Sequence, residues 1–219
     1  MAKTLSPRER RRIEEIFDRF AAQTADPRTE LAYASPFTLL VSVVLSAQAT
    51  DVSVNKATAR LYEVASTPAA MIELGEAALT PFIASIGLYR TKARNVIALS
   101  RILMEQYDGE VPLSREALQA LPGVGRKTAS VVLNELGVEG AIAVDTHVFR
   151  VAHRLKLSAG KTPDQVEADL MRITPPARLT RAHHWLILHG RYVCVARKPR
   201  CTGCLVADLC PSRELFLGG

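Results

Sequence analysis

Five of this chain's Ser/Thr-Pro pairs stand before helix-like stretches: Ser6-Pro7, Ser35-Pro36, Thr67-Pro68, Thr80-Pro81 and Thr162-Pro163. A hydroxyl side chain can accept the unpaired N–H groups that open a helix, and proline is tolerated at the first helical position. Each pair precedes a stretch with helical character. Ser6 with Glu9 also reads as a capping box, after which Ile13, Ile16, Phe17, Phe20 and Ala21 recur at helical spacing. Further helices are expected over 36–46, 51–64, 68–75, 91–107, 114–120, 126–136, 146–156, 163–173 and 180–192. No alternating strand pattern competes with them, since "AIAV" at 141–144 is short and stands alone. The pattern predicts an all-α fold.

At 219 residues the chain is long enough for one large or two small domains, and its 48% hydrophobic content can bury a sizeable core. A formal net charge of +6 fits a polyanionic partner, nucleic acid first and an anionic membrane second. The N-terminal stretch "MAKTLSPRERRRIEE" lacks the apolar core of a secretory signal, and the longest apolar run, Leu39 to Leu45, is too short to cross a bilayer. A cytoplasmic location is expected. Its four cysteines are then expected to be reduced thiols rather than disulfides.

The stretch "LPGVGRKTAS", residues 121–130, reads as a glycine hairpin feeding a helix. Gly123 and Gly125 are expected to permit positive φ and a close approach of the backbone to a partner. The N–H groups opening the next helix are unpaired, and such an end binds anions, phosphate above all. Gly123, Val124, Gly125 and Arg126 are therefore candidate phosphate contacts. Lys127 lies in the first turn of that helix, where the dipole and neighbouring Arg126 both oppose a positive charge. That favours the neutral amine a nucleophile needs, although a lysine that neutralises phosphate fits the same position. A faint echo, "IGLYRTKARNVI" at 86–97, aligns with residues 122–132 on Gly87/Gly123 and Arg90/Arg126. It suggests two hairpins of similar shape facing one ligand.

Downstream, "VDTHVFRVAHRL" puts Asp145 at the start of a helical segment, as an N-cap and, if it faces Lys127, as a carboxylate beside a reacting centre. The four cysteines, Cys194, Cys201, Cys204 and Cys210, fall within 17 residues with the spacing C-x6-C-x2-C-x5-C. Four thiols this close argue for one metal centre, and the spacing leaves zinc and iron–sulfur both open. Arg197, Lys198 and Arg200 sit in the loop between the first two cysteines, where they would meet DNA phosphates or simply be solvated. The five histidines show no metal-binding spacing and read as structural or DNA-proximal. There is no P-loop or G-x-S-x-G elbow, and the lone G-x-G lacks a preceding strand.

Together "LPGVGRKTASVVLN", "AVDTHVFRV" and the cysteine spacing resemble the endonuclease III family of the helix-hairpin-helix DNA glycosylase superfamily. So do "LLVSVVLSAQATDVSVNKATARLY", "IGLYRTKA" and "HHWLILHGRYVCVARKPRC", and the likeness runs from about Thr29 to Cys210. The resemblance implies two helical domains with a DNA cleft between them: a six-helix barrel over 29–139 carrying the hairpin, and an iron–sulfur domain from 1–28 and 140–219. It implies a [4Fe–4S] cluster on the four cysteines, Lys127 as nucleophile, Asp145 as its carboxylate partner, and Gln48 and Leu88 as wedges entering the DNA. The implied activity is a bifunctional DNA glycosylase and AP lyase, acting as a bacterial-type, nucleoid-associated monomer on double-stranded DNA with oxidised pyrimidines or abasic sites. One departure is Ser130, where the family commonly carries Asn.

Two other readings compete. An adenine-mismatch glycosylase shares the cluster, but its family has a non-lysine residue at the Lys127 position and a further C-terminal domain. A non-catalytic DNA-binding module with a zinc centre would use the hairpin and the cysteines for binding alone.

Overall fold

The computed structural model describes residues 5–216, and among them every regular element is helical. The chain divides into two compact units, Thr29–Glu139 and a second one made of Met1–Arg28 with Gly140–Gly219.

The Thr29–Glu139 unit contains six helices: α2 (Pro36–Ser46), α3 (Asp51–Val64), α4 (Pro68–Ile83), α5 (Tyr89–Gln106), α6 (Arg115–Gln119) and α7 (Arg126–Glu135). The second helix explains the arrangement. Its residues 37–45 are all buried, and a helix that is apolar all round belongs at the centre of a bundle. Leu39, Leu40 and Leu45 pack there with Leu61 of α3, Leu79 and Ile83 of α4, Leu99 and Leu103 of α5, and Leu118 of α6. A polar relay crosses this core, with Tyr62 donating to the Thr38 carbonyl at 2.9 Å and its hydroxyl 2.7 Å from that of Ser42.

The other unit holds α1 (Pro7–Gln23), α8 (Thr146–Arg154), α9 (Pro163–Ile173) and α10 (Leu179–Tyr192). The N-terminal helix joins it through its expected apolar face, since Ile13, Ile16, Phe17 and Phe20 pack with Val148, Val151, Leu170 and Trp185. Arginines on α1 add polar ties: Arg12 donates to the carbonyls of Leu155 and Leu209, and Arg19 to that of Leu205 and to both oxygens of Asp208. A segment far away in sequence thus belongs to the C-terminal unit.

Ser6, Ser35, Thr67 and Thr162 all cap helices with proline in the first turn, and Ser6–Glu9 forms the capping box. Thr80-Pro81 does not start a helix. Gly75, with φ 74° and ψ 164°, is non-helical and breaks α4 into two helical segments, the first ending where the sequence pattern ends it and the second running to Ile83 with Pro81 inside it. Thr80 donates to the Glu76 carbonyl at 2.7 Å instead of capping. The 141–144 stretch is not a strand; Ala141, Ile142 and Ala143 are buried in chain without regular structure.

Candidate functional site

The hairpin is built by the turn between α6 and α7. Gly123 has φ 80°, the left-handed region that suits glycine, and a Cβ there would stand 2.8 Å from Nδ2 of Asn95. Gly125 departs from the expectation of positive φ. It is the N-cap of α7 with φ −87° and ψ 177°, ordinary extended backbone, and a Cβ there would meet nothing within 4 Å. No side chain caps α7, so the N–H groups of its first turn remain oriented outward from an exposed glycine. Val124 is buried and anchors the turn in the core.

Lys127 is the second residue of α7 and is exposed, and among the described residues its ammonium has no hydrogen-bond or ion-pair partner. Ser130, one turn on, is fully buried. Its hydroxyl donates to the Arg126 carbonyl at 3.0 Å and accepts from Arg115 at 2.6 Å, so an arginine that also pairs with Glu139 holds the helix start.

The echo stretch is also a turn feeding a helix, but the left-handed residue is Leu88 (φ 60°), one position later than Gly123 in the alignment. Leu88 is 61% exposed and so is not a core side chain. Gln48, at the turn between α2 and α3, is exposed with φ 56°. The two turns lie close: the Gln48 carbonyl oxygen is 3.8 Å from where a Cβ on Gly87 would stand.

Asp145 belongs to the other unit. It is half-buried and is the N-cap of α8, its Oδ1 accepting the backbone N–H groups of His147 and Val148. Oδ2 accepts no hydrogen bond among the described residues, so the capping role leaves one carboxylate oxygen uncommitted.

The four cysteines are free thiols, all half-buried, and they line one cavity together with Leu155, Val193 and Ala207. Burial pushes the Cys204 and Cys210 thiols up, and the neighbouring thiols push them further. Four thiols gathered in one cavity can bind together as thiolates to a cationic centre, so the donor set fits a metal–sulfur group. Among the described residues no three His, Cys, Asp or Glu side chains are gathered tightly enough for a single metal ion. Arginines that the sequence reading passed over surround the first cysteine. Arg150 donates to the Cys194 carbonyl at 2.9 Å, and Arg154 to its Sγ at 3.5 Å and to the Val195 carbonyl at 2.7 Å. Their only signal in the sequence was an i, i+4 spacing on α8. His189 is pushed down to about 4 by burial and packs at a tilt against Phe20, while His153 sits between the carbonyls of Phe149 and Gly160, so both serve structure. Arg197, Lys198 and Arg200 are exposed, and Lys198 has φ 52° at the tip of its loop.

Comparison with known proteins decides the family. Residues 41–176 match the HhH-GPD superfamily of base excision DNA repair proteins, and residues 194–210 match the iron–sulfur binding domain of endonuclease III. Endonuclease III of Escherichia coli (strain K12) is 57% identical over 200 residues, covering 91% of this chain and 95% of the relative. The chain belongs to the endonuclease III family. The enzyme of Haemophilus influenzae is 54% identical over the same shares of both chains. A solved structure of a trapped endonuclease III–DNA covalent intermediate superimposes with a TM-score of 0.87 at 43% identity, covering 97% of this chain and 99% of that one. This endonuclease III family member is a base excision repair DNA glycosylase with AP lyase activity, binds DNA, and carries a [4Fe–4S] cluster. The iron–sulfur match begins at Cys194 and ends at Cys210, and so takes in every cysteine of the chain, which removes the zinc module. No helix of the described residues is long and apolar enough to cross a membrane.

Proposed function

We propose that the protein, acting as a monomer, removes oxidised pyrimidines from duplex DNA and nicks the strand 3′ to the resulting site, with Lys127 as nucleophile and Asp145 as its carboxylate partner. The observation that carries this reading is the exposed, unpartnered Lys127 at the uncapped start of α7, directly behind a glycine turn with outward N–H groups. A phosphate held by the α7 N-terminus and the Gly123–Arg126 turn fixes the backbone near the amine. Arg197, Lys198 and Arg200 add sequence-independent attraction to phosphates.

The sugar C1′ cannot be reached inside the stack, so the damaged nucleotide must be turned out of the duplex. Gln48 and Leu88 are proposed to fill the space it leaves; the exposure of both and their left-handed backbone support this. Lys127 Nζ attacks C1′, and the C1′–N bond breaks with its electron pair leaving on the base. The uncommitted Oδ2 of Asp145 stabilises the positive charge that develops on the sugar and takes up protons released from the amine. The sugar ring opens to a Schiff base, and loss of a C2′ proton expels the 3′ phosphate by β-elimination. Cys194, Cys201, Cys204 and Cys210 are proposed to hold the cluster, which supplies a structural staple for the basic loop.

The assignment is tested by scoring covalent trapping and nicking on duplexes that contain thymine glycol, an abasic site or an A:G mismatch. Reaction with the first two supports it. Reaction with the A:G duplex alone would transfer the protein to the adenine-mismatch class.

A further inference from the structure

Lys92 takes no part in the chemistry above, yet it is one of the most enclosed charged side chains, only 5% exposed. Its Nζ donates to the carbonyls of Leu45 at 2.9 Å and Ala47 at 2.6 Å, at the C-terminal end of α2. Neither partner is a carboxylate. The negative end of a helix dipole suits an ammonium group, but burial still pushes the Lys92 amine down from its ordinary value. An apolar side chain of the same length would occupy this place with no charge to desolvate, so stability alone is a weak reason for a lysine.

Its location supplies another reason. Ala47 immediately precedes Gln48, and the backbone N–H of Lys92 donates to the Leu88 carbonyl at 3.0 Å. That backbone bond is the ordinary first-turn bond of α5, and it is the Nζ contacts that tie this turn to the end of α2, beside the left-handed tips Gln48 (φ 56°) and Leu88 (φ 60°), whose turns lie close at Gly87. Loop tips in sparsely populated backbone conformations persist only where the surroundings over-determine them.

We infer that Lys92 is a positioning residue for damage recognition: it buckles the Gln48 and Leu88 turns into a single rigid wedge pair that enters the duplex as a unit. The inference rests on the proposed insertion of those two side chains. It is tested with Lys92→Met, alone and in a Gln48→Ala/Leu88→Ala background, each holoprotein being titrated against a duplex with a tetrahydrofuran abasic analogue and against undamaged duplex. Lys92→Met should lose about tenfold in affinity for the abasic duplex while binding undamaged duplex within about twofold of wild type, and the loss should vanish in the double-alanine background. Lys92→Gln, which keeps an uncharged donor, is run in the same cycle so that a folding defect in one variant does not end the test. An equal loss on both duplexes, or a loss that persists in the double-alanine background, would reduce Lys92 to a fold residue and overturn the inference. Wild-type affinity of Lys92→Met with weakened Gln48→Ala/Leu88→Ala refutes the buckle alone. Wild-type affinity of the double-alanine protein refutes the insertion reading, and the buckle with it.

Discussion

Asp145 caps α8 through Val148: its Oδ1 accepts the Val148 N–H at 2.8 Å, and the His147 N–H at the same distance. The cap uses the oxygen as an acceptor, and an asparagine oxygen serves as well. Catalysis as proposed uses the charge. Asp145→Asn should therefore keep stability within about 0.5 kcal/mol, a melting shift of roughly 2 °C or less, while base release falls by on the order of 10²–10⁴. Asp145→Ala should lose the cap as well, about 1 kcal/mol. Thermal melts and single-turnover base release measure the two effects separately. An Asp145→Asn protein with wild-type base release would leave the residue a cap and nothing more.

The two hairpin glycines make opposite demands. Gly123→Ala places a Cβ at φ 80° and 2.8 Å from Asn95 Nδ2, so it should destabilise the fold by roughly 1–3 kcal/mol. Gly125→Ala meets nothing within 4 Å at an ordinary φ, so it should cost only the N-cap preference of glycine over alanine, about 0.5–1 kcal/mol, less than Gly123→Ala. Its added methyl would instead hold a phosphate away from the α7 N–H groups, and DNA affinity should fall. Equal affinity of Gly125→Ala and wild type in a salt titration would remove that glycine from the interface.

Tyr62 predicts an alkaline signature. Burial pushes its hydroxyl far above the ordinary value of 10.0, partly countered by the hydrogen bond with Ser42. The folded protein therefore keeps the proton while the unfolded chain releases it, so stability is intact below pH 10 and falls as pH rises beyond it. Tyr62→Phe does not titrate. It should be less stable than wild type at pH 8 by about 1 kcal/mol, from the lost bond to the Thr38 carbonyl, and the gap should narrow from pH 9 to 11. Denaturation series at those pH values measure it, and a constant gap would contradict the burial argument.

How much of this was legible in the sequence follows from the range of the forces involved. Four of the five Ser/Thr-Pro pairs read as helix starts do cap helices, because capping is settled within three residues. Thr80 fails because the helical segment that follows the break at Gly75 has already begun before Thr80, so its hydroxyl donates back to the Glu76 carbonyl. Positive φ was expected at both hairpin glycines, and only Gly123 has it, while Gly125 takes the extended backbone of an N-cap; that Asn95 crowds Gly123 is a contact distant in sequence. The cysteine spacing pointed to one metal centre, but choosing iron–sulfur over zinc depended on the family. Lys92 was invisible: in sequence it looks like any solvated helix lysine, and only the end of α2 makes it buried. Leu88 was singled out as a wedge only through the family resemblance, since its residue type alone suits a core position equally, and the turn leaves it exposed.

The central claim is that Lys127 attacks the sugar, and covalent trapping tests it most directly. Wild-type protein mixed with thymine glycol duplex and borohydride should give a stable protein–DNA adduct, because reduction fixes the Schiff base. Lys127→Ala, changed at an exposed position with no partner to lose, should fold and bind DNA yet give no adduct and no nick. An adduct from Lys127→Ala at the wild-type level would contradict the account and assign the nucleophile to another residue.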